Sequence, residues 1–215
     1  PLRLGDFKAI AFDMDSTLIS IECIDEIADA VGKKAEVAAI TEAAMRGEIT
    51  DFKDSLRRRV ALLQGVPAES LQEVYDQRLK INPGAPELIN AAKAAGLQTL
   101  LVSGGFTFFA DRVRERLGMH EAHSNTLEIE GGLLTGRVLG DIVDGEAKKQ
   151  HLLRLCERIG CDPRQSIAVG DGANDLLMMG VAGLSVAYHA KPKVREQAMV
   201  AINDGGLDRV LALMA

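Results

Sequence analysis

The residues best suited to chemistry are mostly carboxylates, and their spacing singles them out. In "KAIAFDMDSTLIS" (residues 8–20), Asp13 and Asp15 follow an apolar run and stand one residue apart. Alternate residues of an extended chain point the same way, so the two carboxylates face one space. Two such groups in a partly desolvated site repel, so one takes up a proton or a cation sits between them. The same pair, helped by Ser16 or Thr17, could instead cap a following helix. A second acidic set stands in "SIAVGDGANDLLMM" (166–179), where Gly170 and Gly172 let the backbone turn tightly and Asp171 and Asp175 flank Asn174. Four acids on one rim form a hard-oxygen donor set that suits Mg²⁺, usually held by one or two carboxylates plus waters and phosphate oxygens.

Two further signals point to an anion. "TLLVSGGF" (99–106) delivers Ser103, Gly104 and Gly105 toward a helix start. A hydroxyl and free N–H groups there can cradle phosphate, although an ordinary strand-to-helix turn looks much the same. Lys148, in "DGEAKKQHLL" (144–153), falls near the start of a helix, where a lysine opposes the dipole. A functional cation and a solvated surface residue both explain it, and Lys149 is its equal on spacing. Cys23 adjoins Glu22 without a nearby histidine and reads as a packed residue. His120, His123, His151 and His189 lack metal-ligand spacing and receive no role.

The elements that must position these groups are legible as alternation. Apolar, strand-like runs at 8–12, 97–103, 166–170 and 183–188 are each followed by a turn signal and a helix-like pattern. That is an α/β domain with a mostly parallel sheet, and ligands of such sheets bind at the carboxyl edge. Residues 21–80 break the rhythm, with apolar residues three and four apart and no strand candidate, so three or four helices are expected there. One helix suffices for a crossover, so this stretch reads as a helical cap inserted into a core made of 1–20 and 81–215. "NTLEIEGGLLTGRVLGDIVD" (125–144) reads as a β-hairpin flap turning at Gly131-Gly132.

A net charge of -6, with no basic run longer than the RRR at 57–59, argues against a nucleic-acid or acidic-membrane partner. The three cysteines have no CxxC spacing, and the chain begins without a basic-then-apolar leader. No apolar stretch approaches the roughly 20 residues needed to span a bilayer. A soluble protein of the reducing cytoplasm is expected.

In this order and on these strands, the four signals resemble the haloacid dehalogenase-like phosphatase superfamily, whose DxDx[TV]L pattern stands here as "DMDSTL". The likeness extends through "IECIDEIA", "AMRGEITDF", "SLRRRVALL", "VSGGFTFFADRVRERLG", "GDIVDGEAK", "GDGANDLLMM" and "AYHAKPKV", and it is nearest to the branch acting on O-phospho-L-serine. The resemblance implies a Rossmann-like core with a helical cap and a Mg²⁺-dependent hydrolysis that completes L-serine synthesis. It makes Asp13 the nucleophile that becomes an aspartyl phosphate and Asp15 the acid and base. Mg²⁺ would be bound by the Asp13 side chain, the Asp15 backbone carbonyl and Asp171, with Asp175 supporting its waters. Ser103, the Gly104 N–H and Lys148 would hold the phosphoryl oxygens, with Asn174 nearby. Glu22 would meet the substrate ammonium, Arg59 its carboxylate, and Met45 and Phe52 would form an apolar fence. The interval from Met45 to Phe52 is one residue longer than the family spacing. Alternatives are another small phosphate ester such as phosphohomoserine, phosphoryl transfer to an acceptor, or a receiver-like phospho-signalling domain.

Overall fold

The computed structural model describes residues 2–45 and 48–214. The chain enters through β1 (Ala9–Phe12), then winds through α1 (Cys23–Ala30), α2 (Lys34–Met45), α3 (Phe52–Ala61) and α4 (Glu69–Gln77) before α5 (Ala85–Ala94). β2 (Gln98–Phe106), α6 (Thr107–Leu117), β3 (Glu121–Glu130), β4 (Leu133–Leu139) and α7 (Gly145–Ile159) follow. β5 (Ser166–Gly170), α8 (Leu176–Val181), β6 (Leu184–Tyr188), α9 (Pro192–Gln197) and β7 (Val200–Ile202) complete it. The strands form one seven-stranded sheet in the order β4-β3-β2-β1-β5-β6-β7, parallel except for the β3–β4 pair.

β1 lies at the centre because its sequence is apolar on both faces. Ile10 and Phe12 join a cluster containing Leu88, Ile89, Phe109 and Val113 of α5 and α6. Ala9 and Ala11 face the other layer, with Leu152, Leu155 and Met178 of α7 and α8. The first cluster runs on without a break into α1–α4 through Ile27, Leu56, Val60 and Leu71. No helix among the described residues is long and apolar enough to cross a membrane.

Two elements differ from the sequence reading. β2 continues through Ser103-Gly104-Gly105 to Phe106, so the glycines end a strand rather than open a helix. Its register against β3 shifts between Val102 and Phe106, and Asn125 Nδ2 donates to Gly104 O at 2.9 Å. The hairpin does turn at Gly131-Gly132, both at positive φ (59° and 77°), as a two-residue turn of this kind requires. It is an extension of the main sheet, however, because β3 begins at Glu121 and pairs there with β2. The outer edge of β4 is covered by the α3–α4 loop: Gly65 N–H donates to Leu134 O and Leu134 N–H to Val66 O, each at 2.8 Å. That pairing blunts an edge otherwise open to association.

Candidate active site

β1 and β5 are neighbours in register, Phe12 beside Val169, so the chain after each strand emerges at the same place on the carboxyl edge. The acids stand there. Asp13, Asp171 and Asp175 are all buried and each offers one oxygen within 4.8 Å of the others. None caps α1, whose N-cap position is held by Glu22 without a side-chain bond. Asp13 is thereby taken out of the capping alternative.

Between these acids lies Lys148, fully buried, whose Nζ donates to Asp13 Oδ1 at 3.1 Å and to Asp175 Oδ1 at 2.9 Å. Burial opposes its charge, yet Asp13 and Asp175 outweigh that and raise its pKa. Lys149 points the other way, 3.9 Å from Glu146 on the surface. α7 thus resolves the choice that spacing left open. Asp175 also accepts through Oδ2 from the N–H groups of Asp171 and Gly172, at 3.1 and 3.2 Å. Its carboxylate fills the space over Gly170 that a Cβ there would need, so glycine is obligatory at that position.

Lys148, with the half-exposed Lys191 beside Asp171, does not balance the charge of the buried acids. Burial, followed by Asp175, holds the Asp13 carboxyl well above its usual range despite Lys148. Asp15 is pushed up to about 8, by burial first and by Glu22 second. Asp15 Oδ1 is buried with no hydrogen-bond partner among the described residues. Hard oxygens, excess negative charge and an unpartnered carboxylate oxygen together fit a divalent cation.

Above the acids is a cleft of about 110 Å³. Asp13, Asp15 and Asp171 line its floor, with Gly104, Gly105, Gly172 and Asn174; Glu22, Phe52 and Arg59 come to it from α1 and α3. Of the three consecutive arginines, Arg57 and Arg58 are exposed and Arg59 alone turns inward. Burial lowers its guanidinium pKa, while Asp25 and Glu22 pull the other way. Phe52 opens α3 and lies directly over Gly104, where a Cβ would come within 2.9 Å of its ring. The irregular interval before Phe52 does not remove it from the cleft. Met45 ends α2, but its side chain lies outside the described residues.

Ser103 is buried, and its Oγ accepts from Gly105 N–H at 2.8 Å. It sits behind the floor: an added Cβ at Gly105 would lie 3.0 Å from Ser103 Oγ and 3.2 Å from Asp15 Oδ2. Cys23 is buried beside Asp15, and burial raises its thiol pKa well above normal, in keeping with a packed residue.

Three residues act here that sequence reasoning had not assigned. Ser16 takes a left-handed backbone (φ 59°), costly for a non-glycine residue, and its hydroxyl donates to Glu22 Oε1 at 2.7 Å. Thr17 Oγ1 donates to Asp171 Oδ1 at 3.0 Å, and Lys191 Nζ to Oδ2 at 2.9 Å. Lys191 follows β6 at the same carboxyl edge, the one signal that could have found it.

The fold and the acid cluster together define a class, and comparison supplies its name. Residues 7–183 match the model of the haloacid dehalogenase-like hydrolases, and the chain belongs to that family. It is 68% identical to the phosphoserine phosphatase of Polaromonas sp. (strain JS666), over 99% of this chain and 92% of that protein. It is 49% identical to the phosphoserine phosphatase of Haemophilus influenzae, over 99% of this chain and 67% of that one. Among solved structures it resembles a substrate-bound phosphoserine phosphatase complex, with a TM-score of 0.90 and 38% identity over 97% of this chain and 99% of the other. A phosphoserine phosphatase holding an analogue of the phospho-aspartyl intermediate matches equally, at TM-score 0.90 and 39% identity, over 97% of this chain and 99% of that one.

Proposed function

We propose that this hydrolase converts O-phospho-L-serine to L-serine and phosphate, with Mg²⁺, as the last step of serine synthesis in the cytoplasm. The observation that carries the reading is the meeting, in one small cleft, of the acid cluster with Glu22 and Arg59. An acid and a guanidinium are the complements of an amino acid's ammonium and carboxylate. Helices α1–α4 serve as a cap over the core, with Phe52 and Met45 as the apolar side of the substrate space.

Asp13 attacks phosphorus, the ester P–O bond breaks, and an aspartyl phosphate forms. Asp15, protonated at neutral pH because burial and Glu22 push it up to about 8, gives its proton to the departing serine oxygen. As a carboxylate it then takes a proton from water, which attacks the aspartyl phosphate and restores Asp13. Ser103 already accepts from Gly105, which leaves its hydroxyl proton for a phosphoryl oxygen. The Gly104 N–H, Asn174 and Lys148 bear on the same group, and Thr17 and Lys191 keep Asp171 oriented. Mg²⁺, held by the Asp13 side chain, the Asp15 carbonyl and Asp171 with Asp175 behind them, would compensate the charge of a carboxylate approaching a phosphate.

Phosphate release from L-phosphoserine, phosphothreonine, sugar phosphates and para-nitrophenyl phosphate, each with Mg²⁺ and with EDTA, tests the assignment. A strong EDTA-sensitive preference for phosphoserine is expected. Activity on another ester would retain the acid chemistry and remove the roles of Glu22 and Arg59. No release at all would favour a receiver-like signalling role.

Two substitutions sharpen this. Arg59→Ala removes a charged hydrogen-bonding partner, which typically costs about 1.5–3 kcal/mol. kcat/KM for phosphoserine should fall by the corresponding 10- to 150-fold or so, and for para-nitrophenyl phosphate hardly at all. Equal losses on both substrates would take Arg59 away from the carboxylate. For Asp15, kcat/KM should decline on the alkaline side with a midpoint within about one unit of 8, as the required proton is lost. The residual activity of Asp15→Asn should lack that limb. An acid whose pKa is raised by folding also loses stability as pH climbs from its unfolded value near 4 toward its folded value near 8. In EDTA, Asp15→Asn should therefore melt higher than the parent at neutral pH, with a gap that closes below pH 4.

A further inference from the structure

α7 ends at Gly160 in the left-handed conformation (φ 73°), and two hydrogen bonds close the helix around it. Gly160 N–H donates to Glu157 O at 3.2 Å and Cys161 N–H to Cys156 O at 2.9 Å. This pairing is the Schellman motif, in which the residue after the glycine lays its side chain on the residue five positions earlier. Both of those side chains are thiols here. Cys156 is buried in the layer under β1, and Cys161, half-buried, packs against the cluster that contains it.

Cys161 also opens onto a cavity of about 310 Å³ lined by Lys8, Gln98, Ile159 and Gln165. Lys8, Gln98 and Gln165 stand at or just before the starts of β1, β2 and β5, so this cavity lies at the amino edge of the sheet, opposite the acid cluster. No step of the phosphate chemistry uses it. One thiol at a cavity, folded by the helix-closing turn back toward a second that is buried, is the arrangement of an attacking and a resolving cysteine.

We propose that Cys156 and Cys161 form a redox modification site, a dithiol that a hydroperoxide converts reversibly to an intramolecular disulfide. The Cys161 sulfur, as thiolate, attacks the distal peroxide oxygen; the O–O bond breaks, the alcohol (or water) leaves with a proton, and a sulfenic acid remains. The Cys156 sulfur then attacks the Cys161 sulfur, the S–S bond forms, the S–O bond breaks, and hydroxide leaves with the Cys156 proton as water. Two thiols and one hydroperoxide thus give one disulfide, one alcohol and one water, a two-electron oxidation that an added dithiol reverses. Burial pushes the Cys156 thiol up to about 12, in keeping with its part as the second sulfur rather than the first.

Arg158 lies between the two cysteines, so trypsin separates them into peptides 155–158 and 159–164 unless a disulfide holds them together. The full-length chain is treated with hydrogen peroxide, its free thiols are alkylated, and the digest is read by mass spectrometry before and after dithiothreitol. The expected product is the joined 155–158/159–164 pair, formed faster in the folded chain than in urea and split by dithiothreitol, with Cys23 still alkylated. Cys156→Ser should stop at a sulfenic acid on Cys161 that dimedone traps, and Cys161→Ser should give no joined pair. Recovery of the two peptides apart, alkylated or over-oxidised, at peroxide exposures that consume Cys161 would overturn the proposal. So would joined peptide forming no faster in the folded chain than in urea.

Discussion

Asp13→Asn should lower kcat for phosphoserine by about 10⁴-fold or more, the scale on which loss of a nucleophile is felt. The substitution keeps the shape of the side chain and removes its capacity to form a mixed anhydride with phosphorus. Loss of folding is not the expected cause: the change weakens the Asp13 contact of Lys148 but leaves that cation paired with Asp175 and takes one negative charge out of the acid cluster. Burial first, and then Asp175, Asp171 and Asp15, hold the Asp13 carboxyl well above the usual range against the pull of Lys148. A neutral amide relieves that repulsion while still accepting from Met14 N–H, now at 2.7 Å from Oδ1. In EDTA the variant should therefore be at least as stable as the parent while inactive, and its thermal midpoint should respond less to added Mg²⁺. A variant that is inactive because it melts lower would point to a structural role for Asp13.

Lys148→Met should have the largest effect on stability. The ammonium is fully buried and its Nζ binds both Asp13 and Asp175, so its removal leaves two buried carboxylates without their shared cation. Breaking a buried ion pair from one side typically costs about 3–5 kcal/mol. Denaturant midpoints in EDTA should fall accordingly, and saturating Mg²⁺ should recover part of the loss by supplying positive charge to the same acids. Adding Asp175→Asn to Lys148→Met should also recover part of it, since the second change removes a charge that the first left unpaired. Strict additivity of the two costs would mean that Lys148 stabilises the fold through its packing alone. Lys149→Met, on the surface of the same helix, serves as the control.

Much of the site was legible because strand geometry is periodic. Asp13 and Asp15 follow β1, Asp171 follows β5, and adjacency of parallel strands places their ends together without knowledge of the loops. Long-range partners are another matter. Thr17 meets Asp171 across 154 positions of sequence, and Lys148 meets Asp13 across 135, distances over which no local pattern carries information. Spacing alone could not separate Lys148 from Lys149; the rotation of α7 turns the first into the core and the second outward.

In the fold, the continuation of β2 through two glycines was hidden because Gly104-Gly105 reads locally as a turn, whereas Asn125 and the register shift against β3 hold it extended. β7 escaped notice for a different reason. Three residues at a sheet edge, Val200–Ile202, carry too little alternation to stand out from their surroundings. Ser16 gave no sign of its left-handed backbone, a conformation that serine rarely adopts and that places its hydroxyl on Glu22.

The central claim is that Asp13 takes the phosphoryl group from phosphoserine. The direct measurement is acid quenching of the enzyme during turnover of L-phosphoserine with Mg²⁺, followed by peptide mass spectrometry and treatment of a parallel sample with hydroxylamine. The expected result is one added phosphoryl group on the peptide carrying Asp13, removed by hydroxylamine as an acyl phosphate should be and absent in Asp13→Asn. Consumption of phosphoserine with Asp13 never phosphorylated, or with the group carried by another residue, would contradict it.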